Sequence, residues 1–96
     1  MNWYLAKFVY RIICGDGNHT AQFDEQLRLI KAGDEEQAME YAKRIGKNEE
    51  ATFYNQKQQL VKWQFITVSE LYQFSELTDG AEIYSQIHEA EDAQTH

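Results

Sequence analysis

Two stretches rich in apolar residues, separated by a glycine-rich turn, open the chain. Residues 3–14 are dominated by aromatic and β-branched side chains, and residues 19–32 alternate apolar with polar positions. The sequence GDGN, residues 15–18, lies between them. Strand-forming residues on both sides of an Asp-Gly turn predict a β-hairpin.

A turn at Asp16-Gly17 also predicts the register of this hairpin. It sets Tyr10 opposite Phe23 and Tyr4 opposite Leu29, and a slip of one residue would move every side chain to the other face. One face is then apolar, with Tyr4, Ala6, Phe8, Tyr10, Ile12, Phe23, Leu27 and Leu29. The other face is mixed, because polar residues share it with Trp3, Leu5, Val9, Ile13 and Ile30.

The apolar pattern changes to a helical period after Gly33. Asp34 is suited to cap a helix, with Gln37 three residues later as in a capping box. Apolar side chains then recur at helical spacing: Ala38, Met39, Ala42 and Ile45. We therefore predict a helix from Glu35 to about Tyr54, and Gly46 marks a place where it would end or break.

The rest of the chain predicts two further strands. Residues 55–59 form a polar loop, and residues 60–75 are a long run of strand-forming residues. The apolar parity switches within that run, which indicates a bulge or bend near residues 67–69. A turn at residues 78–80 leads to a last strand at residues 82–87.

These elements predict an α+β fold in the order β-β-α-β-β. A four-stranded, mostly antiparallel sheet with one helix packed on one face is the simplest arrangement. We expect one domain over residues 1–89, and the polar residues 90–96 predict a disordered C-terminal tail.

Charge and composition exclude several classes of partner. Sixteen acidic residues against nine basic ones give a net charge of −7, which disfavours nucleic acid and anionic lipid surfaces. No apolar run approaches the ~20 residues of a membrane-spanning helix, and the N-terminus does not match a signal peptide. We expect a cytoplasmic protein that binds no membrane.

The only cysteine lies close to a histidine at the hairpin tip. In the predicted register Cys14 faces His19, and an imidazole beside a thiol can activate it as a nucleophile. The simpler interpretation is that both residues terminate strands, because a hairpin tip lacks the rigid support that catalysis needs. No cysteine and histidine spacing matches a zinc site. We therefore nominate no catalytic residue, no metal ligand and no cofactor.

Three motifs point to a known family. They are WYLAK at residues 3–7, WQFITVSELYQF at 63–74 and DGAEIYSQI at 79–87. With these motifs the chain resembles domain-of-unknown-function family 4288, a bacterial family of small proteins. The matching residues are Trp3, Tyr4, Ala6, Lys7, Trp63, Phe65, Val68, Tyr72, Asp79, Gly80, Glu82, Tyr84 and Ser85. The resemblance implies a soluble bacterial protein without an assigned activity, and it supplies no catalytic residue.

Surplus apolar surface is the main functional signal. One helix can cover one face of a sheet, yet the first strand carries large apolar residues on both faces. We therefore expect a non-enzymatic module that forms a homodimer or binds a protein partner. The predicted contact face comprises Trp3, Leu5, Val9, Ile13, Ile30, Trp63 and Phe65. The alternative is a small-molecule binding protein or small enzyme with a tyrosine-lined cleft, drawn from Tyr4, Tyr10, Tyr72 and Tyr84; such a cleft would show convergent polar groups and shifted pKa values.

Overall fold

The fold has the predicted class and element order. The structure is a computed structural model that describes residues 1–74 and 78–81. Its elements are β1 (Asn2–Cys14), β2 (Gln22–Ala32), α1 (Glu35–Asn48), β3 (Ala51–Tyr54) and β4 (Leu60–Phe74). The predicted α+β architecture, four antiparallel strands with one helix in the order β-β-α-β-β, is confirmed.

The four strands form one curled, half-barrel sheet in the order β2-β1-β4-β3. The two long strands β1 and β4 lie at its centre, and all three pairings are antiparallel. Along β4 the register with β1 shifts twice, so that Ile66 and Ser69 have no residue directly opposite them. Extra residues of this kind increase the twist of a strand. The bend predicted near residues 67–69 is confirmed.

The prediction of one helix from Glu35 to about Tyr54 is partly wrong. The helix ends at Asn48, and residues 51–54 leave it to pair with β4 as a short strand. Thr52, Phe53 and Tyr54 are strand-forming residue types, and pairing with β4 satisfies their backbone. The strand predicted at residues 82–87 and the predicted tail at 90–96 lie outside the described residues.

The register of the first hairpin is one residue away from the predicted one. Tyr4 pairs with Ile30 and Tyr10 pairs with Asp24, where the turn at Asp16-Gly17 predicts Leu29 and Phe23. The physical reason is the length of the connection, because β1 ends at Cys14 and β2 begins only at Gln22. Seven residues, 15–21, therefore replace the predicted two-residue turn. The shift exchanges the two faces of β2.

The helix packs on one face of the sheet through small side chains. Asp34 caps it as predicted, since its Oδ1 accepts from Gln37 N–H at 2.8 Å. Ala38 and Ala42 are fully buried against a core of Tyr4, Ala6, Phe8, Tyr10, Ile30, Ala32 and Val68. Because alanine is small, the helix axis lies close to the sheet.

Gly46 lies inside α1, where the sequence predicted a break. A Cβ at this position would overlap the Phe65 ring, with Cδ1 only 2.6 Å away. The Tyr10 hydroxyl also donates to Gly46 O at 2.8 Å. Glycine is therefore needed here for close packing of the helix on β4, and it does not end the helix.

Candidate functional site

The sheet face opposite α1, called here the helix-free face, carries four of the seven predicted contact residues. Trp3, Leu5, Val9 and Ile13 alternate along β1 with the residues that pack on the helix. Trp3, Val9 and Ile13 are partly exposed, whereas Leu5 is only 5% exposed. Leu5 pairs with Leu29 on one side and with Tyr72 on the other.

The other three predicted contact residues lie on the helix side of the sheet. Ile30 pairs with Tyr4 and is a buried core residue, because the register shift moves it to that face. Phe65 packs beneath Gly46, and Trp63 stacks on Phe53 with ring centroids 5.7 Å apart. These three residues are therefore not part of the helix-free face.

Three large apolar side chains of β2 take their place on the helix-free face. Phe23, Leu27 and Leu29 pair with Arg11, Lys7 and Leu5 of β1. The predicted register places them on the apolar face with Tyr4 and Phe8, but 57%, 62% and 55% of their surfaces are exposed. The helix-free face is thus more apolar along β2 than the sequence alone indicated.

The charged side chains of the helix-free face are mainly basic. Among the described residues they are Lys7, Glu25, Arg11, Lys31, Lys62 and Glu70. Lys7 Nζ lies 3.0 Å from Glu70 Oε2 and 3.9 Å from Glu25 Oε2. Lys31 Nζ lies 5.5 Å from the centroid of the Trp3 ring, within the range of a cation–π contact. The acidic excess of the chain is therefore absent from this face.

A cleft lies on the other side of the sheet, beside the C-terminal end of α1. The polar face of β2 lines it with Asp24, Gln26 and Arg28, which pair with Tyr10, Phe8 and Ala6. The cavity has a volume of about 330 Å³, and its remaining lining residues are Tyr10, Glu49, Ala51, Phe53 and Trp63. The helix covers Ile30 and Ala32 further along β2 but ends before it reaches this polar row.

Asp24 is held in the cleft by two neutral donors. Gln26 Nε2 donates to Asp24 Oδ2 at 2.7 Å, and Trp63 Nε1 donates to the same oxygen at 3.1 Å. These two hydrogen bonds, with that from Gln26 the stronger, lower the pKa of the Asp24 carboxyl below its ordinary value. The indole of Trp63 reaches across β1 to make this bond, so it closes one side of the cleft.

Arg28 has its partners within the protein. Its Nη2 donates to Gln26 Oε1 at 2.6 Å and its Nη1 donates to Glu49 Oε2 at 2.9 Å. Its guanidinium carbon lies 5.5 Å from the centroid of the Phe8 ring. Arg28 therefore links β2 to the end of α1 and balances the charge of Glu49.

Four tyrosines were candidates for a ligand cleft, and among the described residues only Tyr10 lines this cavity. Burial, followed by the nearby Glu49 carboxylate, raises the pKa of its hydroxyl above the ordinary value. Tyr4 is buried in the core and Tyr72 lies on the helix-free face, while Tyr84 is outside the described residues. The cleft nevertheless has the convergent polar groups and shifted pKa values expected of a ligand site.

Comparison with known proteins identifies the family. The model of a family described as Domain of unknown function (DUF4288) matches residues 3–85. The chain belongs to the DUF4288 family. No curated protein and no solved structure matches the chain. The predicted resemblance is thus confirmed over most of the chain, and the DUF4288 description names no activity.

The cysteine and histidine of this DUF4288 chain do not form a catalytic pair. His19 Nε2 accepts from the backbone N–H of Cys14 at 2.9 Å, so its Nδ1 carries the proton and donates to Thr20 O at 2.8 Å. Both ring nitrogens are thus used to hold the hairpin tip. The thiol is left without the base that the predicted cross-strand pairing would provide.

The described part of the DUF4288 chain shows no other recognisable centre. Within residues 1–74 and 78–81, no group of three or more histidine, cysteine or acidic side chains is arranged to hold a metal ion. In the same residues no helix is long and apolar enough to cross a membrane. The helix-free face carries exposed apolar side chains, and the cleft carries converging polar groups, within the described residues.

Sequence reasoning missed the cleft because the predicted register places Asp24, Gln26 and Arg28 on the mixed face of the hairpin, away from the helix. One signal was present: Asp24, Gln26 and Arg28 share the parity of the apolar residues Ile30 and Ala32 on the same strand. A helix of 14 residues cannot cover the whole length of an 11-residue strand that it crosses near one end. Glu49 and Phe53 could not be assigned to the cleft without the end of α1.

Proposed function

We propose that this DUF4288 protein is a non-enzymatic interaction module that self-associates through the helix-free face of its sheet. The observation that supports the proposal is the exposure of Phe23, Leu27 and Leu29 by more than half of their surfaces. Full burial of one such side chain contributes about 1.5–3 kcal/mol. Because somewhat more than half of each side chain is still exposed, a contact that covers all three would contribute roughly 3–5 kcal/mol before the cost of association is subtracted.

The position of these residues distinguishes them from scattered apolar surface. They lie on one side of one strand, and Trp3, Val9 and Ile13 lie diagonally across from them on the adjacent strand. Contiguous apolar patches larger than a few hundred Å² are rare on soluble monomers and tend to mark interaction sites. The loop at residues 55–59 joins β3 to β4, and the end of α1 lies on the opposite face, so neither covers this patch. The strand predicted at residues 82–87, the third segment that could cover it, lies outside the described residues.

A second copy of the chain is the partner that fits best. Two chains of charge −7 repel each other, but the helix-free face carries four basic and two acidic side chains among the described residues. A contact between two such faces therefore avoids most of the acidic repulsion between the chains, and Lys7 is balanced by Glu70 and Glu25 within each copy.

The strand is also self-complementary about its centre. Leu27 is the middle residue of Gln22–Ala32, so a two-fold axis near it would set Leu27 against its own copy. The same axis would bring Phe23 near Lys31 of the second copy, a pairing of ring and cation like that of Trp3 with Lys31 within one chain.

Sedimentation equilibrium at micromolar concentrations tests this proposal. The wild type should show a mass of twice 11.3 kDa, and the double variant Leu27→Glu/Leu29→Glu should show 11.3 kDa. The substitutions would bury unpaired carboxylates in the contact and are expected to weaken association by more than about 100-fold. Circular dichroism should report an unchanged fold, because both side chains are exposed in the single chain.

Tyr41→Glu provides the matched control. Tyr41 is also a large exposed side chain, but it lies on α1 on the opposite side of the molecule. This variant should associate like the wild type. A wild-type mass of 11.3 kDa throughout, or a dimer that both variants leave intact, would contradict self-association through this face.

A further inference from the structure

The cleft beside the end of α1 contains one charge that no cationic side chain contacts among the described residues. Of its two carboxylates, Glu49 is bonded to Arg28 at 2.9 Å. Asp24 is bonded to an amide and an indole, which are neutral donors. A carboxylate accepts about four hydrogen bonds, and the two donors share a single oxygen of Asp24. The other oxygen, Oδ1, can take a further donor.

Arg28 does not make the cleft an anion site. Its guanidinium donates three hydrogen bonds to Gln26 and Glu49, and it lies over the Phe8 ring. An anion would have to displace Glu49 and would meet the carboxylate of Asp24 in the same cavity. The charge of the cleft therefore favours a cation.

The walls of the cleft are suited to a flat or apolar body attached to that cation. Phe53 and Trp63 stack at an interplanar angle of 26°, and Phe53 remains 46% exposed. Aromatic faces attract cations and planar groups. A volume of about 330 Å³ lies at the small end of ligand cavities. The site therefore suits one charged head group and a small body.

We propose that the cleft binds a small organic cation, in which an amidinium, guanidinium or ammonium head donates to Asp24 and the body packs on Phe53 and Trp63. This site lies on the opposite face of the sheet from the proposed self-association surface, so the binding test of one proposal does not decide the other. Arg28 attracts Asp24 through space without contacting it. The bound cation adds a direct contact with the Asp24 carboxylate, and the aromatic pair supplies the contact area.

A series of three ligands of the same shape tests the sign of the charge. Benzamidine, benzamide and benzoate carry a positive, a neutral and a negative head group on the same ring. They are titrated into the ¹⁵N-labelled protein, and the indole N–H signal of Trp63 is followed, with Trp63→Phe used to distinguish it from that of Trp3. Benzamidine is expected to shift this signal with a Kd of about 1 mM, a value that a ligand of this size can reach.

Benzamide should bind roughly tenfold more weakly than benzamidine, since it lacks the charge that pairs with Asp24. Benzoate should not bind. Equal binding of benzamide or tighter binding of benzoate would overturn the proposal, as would the absence of any shift with benzamidine at tens of millimolar.

Two variants and a control identify the residues involved. Asp24→Asn keeps the shape of the side chain and should remove the preference for benzamidine over benzamide. Glu25→Gln removes the same charge from the next residue, whose side chain lies on the helix-free face, and should leave that preference unchanged. Phe53→Ala should weaken both ligands alike. A preference that survives Asp24→Asn, or one that Glu25→Gln removes equally, would show that Asp24 does not anchor the cation.

Discussion

At the scale of single residues, one contact explains how the helix is seated on the sheet. Gly46 lies against the Phe65 ring, and its carbonyl accepts from the Tyr10 hydroxyl. Phe65 in turn makes edge contacts with Phe8 and Tyr10, with centroids 6.0 and 5.6 Å apart. The absence of a side chain at residue 46 therefore sets the distance between α1 and the aromatic core.

This contact reverses the usual effect of a helix substitution. In an exposed helix interior Gly→Ala stabilises by roughly 0.5–1 kcal/mol, because alanine loses less backbone entropy. Here Gly46→Ala should destabilise by about 1–3 kcal/mol, since the new Cβ overlaps Phe65. Urea unfolding measures the difference. Combining it with Phe65→Leu should recover part of the loss, and a Gly46→Ala protein more stable than the wild type would contradict the packing described.

At the scale of elements, the strand β2 differs from its prediction, because the observed register exchanges the two faces that the sequence predicts for it. Phe23, Leu27 and Leu29 lie on the helix-free face of β2. On the face that carries α1, the side chains change along the strand from apolar Ile30 to polar Asp24. Polar groups on the inner face of a sheet are costly unless they are hydrogen-bonded. The bonds that join Trp63, Asp24, Gln26, Arg28 and Glu49 meet this need.

The bonds to Asp24 make stability depend on acid pH. The pKa of Asp24 is lower in the folded protein than the value of about 3.9 in an unfolded chain. Its contribution is therefore fully present above about pH 4 and is lost as the pH falls through the folded pKa. The free energy of unfolding of Asp24→Asn should lie below that of the wild type at pH 6, by about 1 kcal/mol, and the gap should narrow as the pH falls below about 4.

Glu25→Gln serves as the control for this pH dependence, because Glu25 is the neighbouring acid on the exposed face. Both variants and the wild type are compared by urea unfolding at one protein concentration. A gap between the wild type and Asp24→Asn that stays constant from pH 6 to pH 2 would contradict the role assigned to the Asp24 carboxylate.

The sequence predicts elements better than it predicts their register. The start of α1 at Asp34, the first hairpin and the irregularity in β4 follow from local signals at those residues. The register of β2 does not, because the ring of His19 and positive φ angles at Gly15 and Gly17 hold a seven-residue connection that no short-range rule anticipates. The strand β3 exists through its pairing with β4, which the residues of 51–54 alone do not reveal.

At the scale of the whole molecule, the curled sheet separates two surfaces. On one face of the sheet, α1 covers one part and the cleft lies beyond the end of the helix. The exposed apolar residues of β2 lie on the other face, the helix-free face. The chain belongs to the DUF4288 family, whose description names no activity. The proposed self-association and the proposed cation site use different faces of the same strand, so both depend on its orientation.

The free energies of unfolding of Ile30→Ala and Leu27→Ala test that orientation most directly. Both residues lie on β2, at positions of opposite parity, and urea unfolding is measured below the concentration at which the protein associates. Ile30→Ala should destabilise by about 2–5 kcal/mol because Ile30 is buried, and Leu27→Ala by less than about 1 kcal/mol because Leu27 is exposed. The reverse order, with Leu27→Ala the costlier change, would contradict the exchanged faces of β2 and both proposals that rest on them.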